Sequence, residues 1–312
     1  MAVMKKTSKI YLAGHTGMVG SALHRELQRR GYKNIVVRTR KQMNLLDQAV
    51  VERFFKKEKP EFVIIAAAKV GGIKANMEFQ ADFLYENLQI QNNIIWNAHL
   101  NDVKKLLFFS SSCVYPRSAP QPMKEEYMLD AKPEPTNEGY AIAKISGMKL
   151  CEMLKAQYGK DFISCIPTNL YGPKDNFDLE HAHVVPSLLR KYHEAKEKDL
   201  SEIVAWGSGS PKREFLYSED LVDAAIFLMT TPTKYDTVNI GTGKEVTIKE
   251  LTELIKDVVG YKGKITWDTS KPDGNPRKLM DVSRMREAGW EAKVLLEDGL
   301  RSTYEWYKRN YR

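Results

Sequence analysis

The stretch EGYAIAK, residues 138–144, carries a tyrosine and a lysine four positions apart. On a helix, Tyr140 and Lys144 share one face. A phenol beside an ammonium is an acid with a lowered pKa, suited to giving a proton to a carbonyl oxygen. Spacing alone decides little: 15 Tyr and 48 Lys+Arg in 312 residues yield about two Tyr-x-x-x-basic pairs by chance. Tyr192…Lys196 and Tyr304…Lys308 repeat the pattern. Tyr192 lies in LLRKYHEAKEKD, a charged run that reads as an ordinary surface pair. Tyr304 lies in GLRSTYEWYKRN, a C-terminal helix whose aromatics dock onto a core. Tyr140 differs, because it follows PEPTNE, where Thr136 or Asn137 suits a helix cap. It also comes 29 residues after Ser111, which ends the apolar run KLLFFSS. That is the carboxyl end of a predicted strand, where doubly wound sheets bind their ligands. In such a set Tyr140 protonates a carbonyl oxygen, Ser111 orients that oxygen, and Lys144 holds a nicotinamide ribose and favours the tyrosinate.

The elements that must position this set follow from periodicity. KIYLAG (9–14), NIVVRT (34–39), FVIIAAA (62–68) and KLLFFSS (105–111) read as buried strands. Between them run helical stretches marked by Val19, Leu23 and Leu27, by Val50, Val51, Phe54 and Phe55, and by Phe83, Leu84, Ile90, Ile94 and Ile95 over residues 82–99. This alternation predicts an α/β fold with a parallel sheet covered on both faces by helices. From residue 162 onward the regularity breaks, and glycine, proline and aromatics become denser, as in AWGSGSPKREFLY and DTSKPDGNPRKLMD. A Rossmann-type domain over 1–167 is expected, with a late strand near 235–241 returning to it. Residues 168–312 are expected to form mainly a smaller α/β substrate-binding domain.

The first strand runs into GHTGMVG, which spaces Gly14, Gly17 and Gly20 three and three. Glycine suits a tight turn and a backbone that must approach a diphosphate. The helix that follows offers its N-terminal amides to that phosphate. An NAD site needs an acid after the second strand, yet VVRTRKQ places Arg38, Arg40 and Lys41 there. A guanidinium binds a 2′-phosphate with two hydrogen bonds, so the cofactor expected is NADP(H), with Arg40 as the main contact. One of these cations can equally be a solvated surface charge.

Bulk properties narrow the partners. The net charge is +8, spread along the chain in runs of mixed sign. No RNA-binding aromatic motif accompanies it, so a phosphate-bearing small molecule is expected rather than nucleic acid. The longest apolar run, FVIIAAA, is far short of a membrane span. MAVMKKTSKIYLAG lacks the apolar segment of a signal peptide. Three cysteines (Cys113, Cys151, Cys165) follow no metal-like spacing, and a cytoplasmic protein without a metal is the expectation.

Taken together, AGHTGMVGSAL, AAAKVGGIKAN, SSSCVYP, EPTNEGYAIAK, PTNLYGPKDNF, HVVPSLLRKYHEA and WGSGSPKREF resemble the GDP-L-fucose synthase family of extended short-chain dehydrogenase/reductases. The resemblance implies NADPH-dependent reduction of the C4 ketone of a GDP-4-keto-6-deoxy sugar, with epimerisation at C3 and C5. It implies Cys113 as the base and His183 as the acid of the epimerisation. On the residues alone, Cys113 can also be a small buried side chain, and His181 competes with His183. For the cofactor it implies Gly14, His15, Thr16, Gly17, Met18, Val19, Gly20, Arg38, Arg40, Ser110, Lys144, Pro167, Asn169, Leu170 and His183. For the substrate it implies Lys191, Trp206, Arg213, Asp273 and Lys278. Lys191 stands where relatives can carry arginine, which keeps the charge but loses the bidentate fork. A homodimer joined through residues 82–99 and 140–158 is also implied. A C4-reductase of a related GDP-4-keto sugar such as a heptose, with epimerisation done elsewhere, is the alternative. A nucleotide-sensing protein on the same fold would have no need of Ser111, Tyr140 and Lys144.

Overall fold

The computed structural model describes residues 2–179, 182–271 and 273–311, the side chain of Ile73 excepted. The first half runs β1 (Ile10–Ala13), α1 (Met18–Arg29), β2 (Ile35–Val36), α2 (Gln48–Glu58), β3 (Phe62–Ile65), α3 (Ile73–Glu78), α4 (Gln80–Leu100), β4 (Lys105–Phe109), α5 (Glu138–Tyr158) and β5 (Phe162–Pro167). The second half runs β6 (Asn169–Tyr171), α6 (Val184–Glu197), β7 (Glu202–Trp206), β8 (Lys212–Arg213), β9 (Phe215–Tyr217), α7 (Ser218–Thr230) and β10 (Thr237–Ile240). It ends with β11 (Val246–Thr247), α8 (Ile248–Val259), β12 (Lys264–Asp268), β13 (Arg277–Lys278), α9 (Ser283–Glu287) and α10 (Leu296–Asn310).

Six parallel strands form the main sheet in the order β10-β5-β4-β3-β1-β2. The chain leaves β1 toward β2 and then returns to β1's other side as β3, so ligands are expected at the carboxyl ends near that reversal. Strand residues alternate between the two faces, as a pleat requires. Ile10, Leu12, Ile64, Leu107 and Ile163 pack against α1 and α7. Tyr11, Ala13, Val63, Leu106 and Phe108 pack against α2, α4 and α5. A third core gathers Tyr171, Leu189, Leu251, Leu300 and Tyr304 from β6, α6, α8 and α10, with Phe177 from the loop before α6.

Two expectations need correction, and one helix lies where no pattern placed it. The strand expected over 34–39 spans only Ile35–Val36, because it is a sheet edge whose residues are half-buried. Tyr192 is a core residue, fully buried, with its ring 5.7 Å from that of Tyr261. Its partner Lys196 turns away and donates to the Val259 carbonyl at 2.9 Å, so this is no surface pair. Finally, α7 belongs to the main sheet despite lying far along the chain. Leu221, Val222, Ala224, Ala225, Ile226, Leu228 and Met229 are all buried, so the helix is apolar nearly all round and shows no one-sided period.

Candidate active site

At the end of β1 the backbone turns through Gly14, which has φ +86°. A Cβ on Gly14 would stand 2.6 Å from the Ala67 nitrogen, and one on Gly20 would stand 2.0 Å from the Gly14 oxygen. Both positions therefore require glycine. Gly17 is different: a Cβ there would meet the Gly14 oxygen only at 3.7 Å, an ordinary contact. Gly17 is also the residue before α1, and no side chain caps that helix, so its first amides face the turn without a protein acceptor. Thr16 is exposed beside it, Met18 and Val19 begin the helix half-buried, and the His15 Nδ1 is buried without a partner. Burial, then the neighbouring His24, lowers the His15 pKa.

Beyond β2 there is no carboxylate in the sequence Val37 to Lys41. Arg38 is engaged by Glu58 at 2.7 Å and by the Val37 carbonyl. Arg40 is exposed and has no ion pair among the described residues. Ser110 is buried with an orphaned hydroxyl at the end of β4, and Pro167 ends the neighbouring β5. Asn169 donates to the Glu214 carbonyl at 2.8 Å, and half-buried Leu170 follows it. Orphaned polar atoms, uncapped amides and an unengaged guanidinium fit a dinucleotide with a 2′-phosphate.

The end of β4 and the start of α5 form the reactive corner. Gly139 lets α5 cross α4 closely; a Cβ there would lie 2.4 Å from the Gln80 carbonyl oxygen. Tyr140 follows, with its ring edge-on to Phe83 and Ser111 near enough to its hydroxyl to act on its pKa. Lys144 is buried and donates to the Phe109 carbonyl at 2.8 Å, its nitrogen 5.8 Å from the Tyr140 ring centre. The Tyr140 pKa is raised by burial and then by the nearby Cys113, while Ser111 opposes both. The lowered value expected for a phenol beside an ammonium is therefore not found, because burial outweighs it. Burial also lowers Lys144, to about 8, which weakens the charge meant to help. The Cys113 amide donates to the Ser111 hydroxyl at 3.3 Å, which holds the turn of residues 112–114.

His183 precedes α6, open at its surface but set among protein groups. Burial and then the Lys278 ammonium hold its imidazole below the usual value. His181 lies outside the described residues. Lys278 sits in β13 directly beside Arg213 of β8, so two cations are register partners on adjacent parallel strands. Burial lowers the Arg213 pKa. Lys191 donates to the Val204 carbonyl and, with Trp206, Leu179 and Ile203, lines a cavity of about 340 Å³. Trp206 is 73% exposed, so it is not a core residue but a free aromatic face, with Lys271 above it. Asp273 accepts from the Ser208 amide at 2.9 Å and its hydroxyl at 2.6 Å, tying its loop to the turn after Trp206.

Two residues escape the sequence reading. Glu214 is fully buried and accepts from the amides of Gly243 (2.7 Å) and Met280 (2.9 Å), tying the strand of Arg213 to the segment after Lys278. Burial raises its pKa, and those amides oppose the rise. A single acid between the basic pair and the apolar run of KREFLY is the only signal for it. Asn137 occupies the cap position of α5, but its side chain makes no cap; the amide instead donates to the Cys113 sulfur at 3.2 Å.

The chain belongs to the NAD dependent epimerase/dehydratase family, whose model matches residues 10–241, and within it to the GDP-L-fucose synthases. GDP-L-fucose synthase 1 of Arabidopsis thaliana is 56% identical over 305 residues, covering 98% of this chain and 94% of the relative. Among solved structures, a GDP-6-OMe-4-keto-L-xylo-heptose reductase from C. jejuni superposes with a TM-score of 0.92 at 40% identity, covering 99% of both chains. A GDP-L-fucose synthetase from Naegleria fowleri bound to NADP gives 0.91 at 30% identity, covering 99% of this chain and 95% of that one.

Proposed function

We propose that this protein converts GDP-4-keto-6-deoxy-D-mannose to GDP-L-fucose, epimerising C3 and C5 and then reducing C4 with NADPH. The observation that carries this reading is the corner where β4 meets α5: Lys144 donates to the Phe109 carbonyl with its nitrogen 5.8 Å from the Tyr140 ring centre, and the Cys113 amide donates to the Ser111 hydroxyl. An acid and a base thus converge on one substrate carbonyl. Ser111 and Tyr140 hydrogen-bond the C4 oxygen and acidify the neighbouring C–H bonds. The Cys113 thiolate takes the proton from C3 or C5, the electron pair moves into the enolate, and the charge settles on the C4 oxygen. His183, in its protonated form, returns a proton to the opposite face; its lowered pKa makes that form a stronger acid and confines it to lower pH. NADPH, held by the Gly14–Gly20 turn, the N-terminus of α1, Arg40, Ser110 and Lys144, would supply the hydride for C4. Tyr140 then gives its proton to the C4 oxygen.

Arg213 and Lys278 form the diphosphate clamp, and Trp206 and Lys191 border the nucleotide cavity; Asp273 steadies the loop there. Residues 1–167 with β10 carry the cofactor, and residues 168–312 carry mainly the substrate. A second copy covers Tyr85, Trp96, Ile142, Met153 and Tyr158, which are exposed on α4 and α5, giving a homodimer. No helix of the described residues is long and apolar enough to cross a membrane. Three free thiols suit a reducing cytoplasm.

Incubation with NADPH and GDP-4-keto-6-deoxy-D-mannose in deuterated water tests the reading. Deuterium at C3 and C5 of a GDP-L-fucose product is expected, and Tyr140→Phe lowers reduction by about 10²- to 10⁴-fold. Reduction without deuterium at either carbon removes the epimerase. It would leave a C4-reductase of a related GDP-4-keto sugar, the reading that the likeness to the heptose reductase favours.

A further inference from the structure

Cys113 sits in a 3-10 turn whose own amide is spent on Ser111, so nothing within that turn favours its thiolate. Its one described polar partner for sulfur comes from the next element. Asn137, the residue before α5, has the type and position of a helix cap, yet its side chain leaves the first amides of the helix alone. It swings the other way, and Nδ2 donates to the Cys113 sulfur at 3.2 Å. The cost is visible in the same side chain: the Asn137 Oδ1 is buried and without a partner. A residue that serves only the helix would cap it and leave no orphan. This arrangement also sets the sulfur beside the start of a 21-residue helix, whose positive end favours an anion.

We propose that Asn137 is a positioning residue that stabilises and aims the Cys113 thiolate. The importance of that thiolate rests on the proposed epimerisation, but the claim about Asn137 concerns the thiol itself. The amide donates a hydrogen bond to the anion and loses no proton. The Cys113 proton leaves to solvent before the substrate's proton is taken, and the Asn137 bond keeps the sulfur lone pair directed into the cleft. Replacing the donor by a carboxylate reverses the effect, since an acceptor with negative charge repels a thiolate.

The test is the pH dependence of iodoacetamide alkylation in the full chain without substrate. Cys113 is partly exposed, whereas Cys151 and Cys165 are buried and burial pushes both thiols up, so labelling reports Cys113. Cys113→Ser serves as the blank. Asn137→Ser keeps a good capping residue and adds no charge, so a purely structural role for Asn137 predicts an unchanged profile. The proposal instead predicts labelling about three- to tenfold slower at pH 7. Asn137→Ala moves the same way and serves if the serine variant does not fold. An unchanged alkylation profile in both variants overturns the proposal and leaves the epimerase reading intact. A shifted profile with undiminished deuterium entry at C3 and C5 upholds the thiol tuning and removes Cys113 as the base.

Discussion

The cofactor turn and the substrate platform are built on opposite principles. In the turn, backbone meets backbone: Gly14 and Gly20 leave no room for a methyl group, and the loop has one shape. In the platform, two-residue strands carry Arg213 and Lys278, and the segment is tied by side chains, Glu214 to the Gly243 and Met280 amides and Asp273 to Ser208. On the proposed function the turn holds the diphosphate of a dinucleotide, which a rigid backbone cradle suits. On the same proposal the platform meets the sugar nucleotide, and side-chain ties can change without altering the sheet. The contrast teaches where a substitution will damage the fold and where it will damage only binding.

The largest effect should come from Gly20→Ala. Its methyl would stand 2.0 Å from a backbone oxygen, so the turn or α1 has to move. A loss of more than about 3 kcal/mol is expected, read as a fall in Tm or as insoluble protein. Gly17→Ala, with 3.7 Å of room, should cost no more than about 1 kcal/mol. It should nonetheless weaken NADPH about tenfold or more, because its methyl stands where a diphosphate meets the α1 amides. Equal losses of Tm in the two variants would break the contrast drawn within the turn.

The same contrast explains what the sequence made legible. The turn was readable because its constraint is local: three glycines between a strand and a helix have few other uses. Tyr140 and Lys144 were readable through their distance from Ser111 and the strand it ends. Tyr192 was misread because its exposure depends on α8 and Tyr261, more than fifty residues away. Likewise α7 and the Glu214 ties are made by long-range packing, for which no short pattern exists. Asn137 was recognised as a cap by type, but its actual partner lies 24 positions earlier. The direction of the Tyr140 shift was also beyond reach, since burial rather than spacing sets it.

A smaller effect is expected on the platform. Lys278→Met removes one of two adjacent cations while leaving the β8–β13 backbone pairing in place. KM for the GDP-sugar should rise about tenfold, the size of one charge-assisted hydrogen bond, with Tm nearly unchanged. Because the Lys278 charge helps hold the His183 pKa down, its removal lets that pKa rise. His183 then stays protonated to higher pH, and the alkaline limb of deuterium entry at C3 and C5 should move upward. A fall in Tm matching that of Gly20→Ala would show that the platform is as rigidly built as the turn.

The last effect sits where the two regions meet, at Lys144. Burial lowers its pKa to about 8 in the folded chain, below the ordinary lysine value near 10.5. Between these two values the unfolded chain binds more protons than the folded one, so stability must rise with pH across that window. Below about pH 8 both states carry the charge, and the burial cost is felt in full. Lys144→Met should flatten the rise between about pH 8 and pH 10, a change on the order of 2 kcal/mol at most in denaturant titrations. Bound cofactor should diminish the same slope in the parent, because a ribose partner favours the ammonium. A slope that persists in Lys144→Met would place the titrating group elsewhere, and Lys144 would then enter the cleft already charged at no measurable cost to the fold.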